Sequence, residues 1–77
     1  MSEVVAESVQ TQSDGTLWAI TVQTVDEGDF GFEVESQVKD PDSISWKSLD
    51  VVGPFESLAE AIEAAERLFK GHTLLLV

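Results

Sequence analysis

The chain has 77 residues with fifteen acidic and four basic side chains, a formal net charge of −11, and 43% hydrophobic residues including two Trp and four Phe. A chain of this length has apolar surface for one core only, so residues 1–77 are read as a single domain, and the aromatic content argues against a disordered acidic tail. The charge repels phosphate backbones and anionic membranes, and the lack of cysteine removes disulfides, thiolate zinc sites and Cys nucleophiles.

The start Met1-Ser2-Glu3 has no basic n-region. The longest apolar run, Leu74 to Val77, is far short of the roughly 18 residues a spanning helix needs. The expectation is a cytoplasmic protein with no membrane association.

Val4 to Gln10 predicts a first strand. Asp14-Gly15 follows as a hairpin signal of the two-residue type I′ class, in which both central residues need positive φ. Pairing Ser13 with Thr16 sets Val9 opposite Ile20 and Val5 opposite Thr24 on the buried face. Glu7 then points inward opposite Val22, an arrangement suited to an edge strand. Leu17 to Val25 alternates, with Trp18, Ile20 and Val22 on one side and Ala19, Thr21 and Gln23 on the other. Phe30 to Val38 alternates again, Phe30, Phe32, Val34 and Val38 against Glu33, Glu35 and Gln37. Period two with one polar side marks half-buried strands. Between them Asp26-Glu27-Gly28-Asp29 has a turn composition. For the apolar sides to share a face, paired residue numbers must sum to an even value, which requires a loop of odd length, about three or five residues, containing Gly28.

Asp40-Pro41-Asp42-Ser43 predicts a turn. Ile44 to Val52 predicts a fourth strand whose parity slips midway, as at a bulge, and Gly53-Pro54 ends it. Ser57 to Lys70 then reads as a helix. Ser57 and Glu60 have capping-box spacing, and Leu58, Ala61, Ile62, Ala65, Leu68 and Phe69 form one apolar stripe. Glu63 with Arg67 and Glu66 with Lys70 are i,i+4 pairs in the favourable order, and Gly71 is the expected C′ residue. His72 to Val77 reads as either a short final strand or an extended tail holding the helix to the sheet. The expected fold class is α+β: an antiparallel four-stranded meander (ββββ), one amphipathic helix on one face, and that short C-terminal segment.

No constellation for catalysis emerges. His72 is the lone histidine and is expected to be an ordinary exposed residue past the helix end, because a general base needs an orienting partner. Ser43-Ile44-Ser45 has no neighbouring base. Gly28 and Gly31 do not lie between a strand and a helix, as a phosphate loop requires. The carboxylate groups Asp26-Glu27-Asp29 and Asp40-Asp42 do not match a calcium loop. No catalytic residue, cofactor or metal is expected. Trp18 and Trp46 are expected to fill the sheet–helix interface.

The stretch Val51-Val52-Gly53-Pro54-Phe55-Glu56-Ser57, running through Glu60-Ala61 to Leu68 and Gly71, resembles the second half of SPOR domains, which implies peptidoglycan binding. Three strands followed by the Leu58-Ala59-Glu60-Ala61-Ile62 helix are similar to HicB-type antitoxins, which implies an acidic protein that binds a small basic toxin.

The reading from the residues is a small, acidic, non-catalytic interaction or regulatory protein whose partner is a basic protein rather than nucleic acid. The candidate partner surface is the outer sheet face: Glu33 and Glu35, Asp26, Glu27 and Asp29, with Leu17, Ala19 and Val25, and Val4 and Ala6 beside them. Two alternatives stand. One is a nucleic-acid mimic whose carboxylates, Glu60, Glu63 and Glu66 with the outer sheet acids, are spaced like phosphates. The other is a homodimer formed through the outer face or an exposed edge.

Overall fold

The computed structural model describes residues 3–25 and 31–77, and its elements are β1 (Val4–Thr11), β2 (Leu17–Thr24), β3 (Phe32–Lys39), β4 (Lys47–Phe55), α1 (Leu58–Leu68) and β5 (Leu75–Leu76). All paired strands are antiparallel and the sheet order is β4-β3-β2-β1-β5, with α1 lying across β2, β3 and β4. This is the expected α+β architecture. Among the described residues no helix is long and apolar enough to cross a membrane, which says nothing of β-barrels.

The first hairpin departs from expectation by one residue. Gly15 N–H donates to Gln12 O (2.9 Å) and Gln12 N–H to Thr16 O (2.8 Å), so the loop is Ser13-Asp14-Gly15 with Gly15 at φ +91°. That is the three-residue loop, a turn followed by one left-handed residue, rather than the two-residue type I′ form. Asp14 Oδ1 accepts from Thr16 N–H at 2.9 Å, and this bond holds the Asp14 carboxyl below its ordinary pKa. The extra loop residue moves the ladder by one: Ala6 faces Val22, Ser8 faces Ile20 and Val9 faces Ala19. A one-residue slip exchanges the faces. Ala6 is therefore buried under the helix instead of lying outside, and Glu7 points to the outer face opposite Thr21. A register shift between Val4 and Ala6 then lets Val5 pack against the core. Nor is β1 an outright edge, since β5 pairs with its Ala6–Glu7 stretch.

The β2–β3 hairpin keeps the expected parity. Thr24 pairs with Phe32 and Leu17 with Lys39, and both sums are 56. Val25 N–H donates to Gly31 O at 3.2 Å, enclosing residues 26–30, which lie outside the described residues.

β4 starts later and ends later than expected. Ile44 is 96% exposed in the preceding loop, and Trp46 is 40% exposed and outside the core, contrary to its expected interface role. The anticipated parity slip falls between the Ser36–Asp50 and Gln37–Ser48 pairs, leaving Leu49 as the extra residue. Gly53-Pro54 does not end the strand. Gly53, at φ +134°, takes up a second irregularity, and Phe55 pairs with Phe32.

Ser57 caps α1 by accepting from Glu60 N–H at 3.1 Å. The seam against the sheet is Ala61, Ala64 and Ala65, with Leu58, Ile62 and Phe69 packing at its margins. Small side chains let the helix lie close over Ile20, Val22 and Val34, the largest fully buried residues. Leu68, expected in the apolar stripe, is 53% exposed, whereas Ala64 is buried, and the helix stops with Phe69 N–H bonded to Ala65 O. The tail then returns to the sheet: His72 N–H donates to Phe69 O, Glu66 accepts from Leu74 N–H, and Val77 N–H donates to Val5 O.

Candidate interaction surface

Strand alternation sorts the sheet into two faces. Ile20, Val22 and Val34 lie under α1, so Leu17, Ala19, Thr21 and Gln23 of β2 and Glu33, Glu35 and Gln37 of β3 lie on the other. The observed register adds Glu7 and Val9 from β1, Val51 from β4 and Leu75 from β5. One row across the sheet reads Leu75, Glu7, Thr21, Glu35, Val51. Carboxylates therefore alternate with uncharged side chains, aliphatic at both ends of the row, on a face that no other described element covers.

Glu35 is held in place. Its carboxylate accepts from Gln37 Nε2 at 2.6 Å and from Ser48 Oγ at 2.8 Å. Thr21, between Glu7 and Glu35 in the row, is 8% exposed, and its Oγ1 is buried without a hydrogen-bond partner. Of the expected surface residues, Leu17, Glu33, Glu35 and Val25 are half-buried and Ala19 is only 4% exposed, so Ala19 is a floor rather than a contact. Asp26, Glu27 and Asp29 lie outside the described residues. Glu7 and Val9 were missed because their side depends on whether the first loop has two residues or three. Among the helix carboxylates proposed as phosphate-like, Glu66 is engaged by the Leu74 amide, which leaves Glu60 and Glu63 exposed.

His72 is not the exposed residue expected past the helix end, for it is only 3% exposed. Ser8 Oγ and His72 Nδ1 share a hydrogen bond of 2.8 Å, and the imidazole meets the Trp18 ring edge-on at 4.5 Å. Trp18 in turn donates Nε1–H to Ser36 Oγ at 3.0 Å and stands edge-on to Phe69 at 6.2 Å. Burial lowers the His72 pKa, favouring the neutral ring, and Nε2 is buried with no partner. A Ser–His pair acts as nucleophile and base only when a further group orients the imidazole and donors await an oxyanion. Here the ring joins the tail to β1 and β2. The sequence hid this role because Ser8 reaches the helix side only in the observed register. Among the described residues no three His, Asp or Glu side chains gather as a cation site.

No protein-family model, curated protein or solved structure matches the chain.

Proposed function

We propose that this protein is a small non-catalytic interaction module that presents the outer face of its sheet to a basic protein partner. One observation carries the reading: Glu7, Glu33 and Glu35 share an uncovered sheet face with Leu17, Val9 and Val51 in a chain of net charge −11. Mixed charge and aliphatic groups suit a non-obligate interface, in which carboxylates steer and orient a cationic partner while apolar groups are buried on contact.

The test is affinity capture on the tagged chain with stepwise salt elution, repeated with a Glu33→Gln/Glu35→Gln variant. A partner of net positive charge should elute by about 0.5 M salt, where screening confines charge effects to a few ångströms. The variant should release it at lower salt. Retention that ignores both salt and the double substitution refutes the proposal.

A further inference from the structure

We propose that the open end of the β1 edge, where β5 stops pairing, takes an extended Lys- or Arg-bearing segment of the partner as an added strand. This rests on the basic-partner reading and specifies where and how that partner is held.

The ladder identifies the open groups. Gln12 N–H bonds Thr16 O, so by antiparallel alternation Gln10, Ser8 and Ala6 turn their backbone groups toward β2. Thr11, Val9, Glu7 and Val5 turn theirs the other way. On that side Val5 O accepts from Val77 N–H and Glu7 pairs with Leu75. Continuing this register, Val9 would meet Thr73, but β5 begins only at Leu75, because the chain is arriving from the helix side, where Gln10 Nε2 donates to Gly71 O. The N–H and C=O of Val9 and Thr11 are therefore left without a strand.

A groove of about 370 Å³ opens at this divergence, lined by Glu7, Val9, Thr73, Leu75 and Val77 among others. Val9, Leu75 and Val77 are each more than half exposed. The opposite edge is protected: β4 carries two register irregularities and Pro54, devices that discourage strand addition. No Pro, Lys or charged side chain lies between Thr73 and Val77. An added strand would place an aliphatic side chain against Val9 and Leu75, and a cation at the diagonal position could reach Glu7. The chain's charge of −11 selects a basic segment over a second copy of itself.

The probe is a capped synthetic peptide of alternating Val and Lys, nine residues long, titrated into the isotopically labelled full chain. Its Val/Glu counterpart serves as the control. Backbone hydrogen-exchange protection should rise at Val9 and Thr11 with the Val/Lys peptide alone. Glu7→Lys should weaken binding at least tenfold, and Val9→Pro, which deletes an outward N–H on the edge, should abolish the protection. Should Val9→Pro fail to fold, Glu7→Lys and Val9→Asp carry the test. Peptide shifts confined to Glu33 and Glu35 would overturn the edge site while leaving the basic-partner reading intact. Absence of any binding by the Val/Lys peptide would overturn the edge site, and salt-sensitive capture would then judge the broader reading. Concentration-dependent dimerisation that protects Val9 and Thr11 without peptide would overturn the choice of occupant.

Discussion

Replacing Thr21 by Val should stabilise the protein, although Thr21 is among its most buried polar residues. Its Oγ1 is out of contact with solvent and has no hydrogen-bond partner. A buried hydroxyl in that condition costs about 1–3 kcal/mol. Valine keeps the β-branched shape and strand preference while removing the unsatisfied group. Taking the lower end of the range, the gain is about 1 kcal/mol, which for a domain of this size raises Tm by about 4–8 °C. Urea unfolding followed by tryptophan fluorescence should show a higher midpoint with an unchanged slope, the sign of altered stability alone. Thr21→Ser, which retains the hydroxyl and loses the methyl, should fall by about 0.8 kcal/mol. A midpoint for Thr21→Val equal to or below that of the parent would refute the reasoning, because it would mean the hydroxyl finds a partner in solution.

The same deletion should have the opposite sign at Ser8. Ser8→Ala leaves the buried His72 Nδ1 without its 2.8 Å partner and should cost about 1–2 kcal/mol by the same urea assay. The His72 environment also predicts a pH effect. Burial lowers its folded-state pKa from the ordinary 6.5, so as pH falls the unfolded chain takes up the proton first. Its contribution is complete above pH 6.5, declines as pH falls through that value, and levels off below the folded pKa. Thermal melts of the parent and His72→Gln between pH 8 and 4.5 should diverge with that sign, the difference cancelling the carboxylate titrations common to both. Gly53→Ala should destabilise by about 1–3 kcal/mol, since an added Cβ lies 3.0 Å from Phe32 O and φ is +134°. Deleting Ser13 should leave the fold intact. Asp14-Gly15 then forms a two-residue loop still pairing Gln12 with Thr16, and an unaltered set of β1–β2 cross-strand NMR contacts would establish it.

Alternation alone determined β2 and β3 and the parity of their hairpin. An odd sum of paired numbers would have put Phe32 and Val34 on opposite sides from Ile20 and Val22, and hydrophobic burial forbids that. The helix was equally legible, because Ser57, Glu60 and the apolar spacing are local signals that act within a few residues. The side of β1 was not, since a single loop residue decides it. Asp14-Gly15 suits either a two- or a three-residue turn, and both registers bury some valines. Packing chose between them by setting Ala6 under the helix and Glu7 in solvent. His72, Ser8 and Trp18 come together across 64 residues of chain through that same register, so their cluster belongs to the tertiary structure. So does the β1 edge. Its open groups exist because the tail must first cross from the helix before it can pair, a path set by chain geometry in three dimensions and by no residue pattern along the sequence.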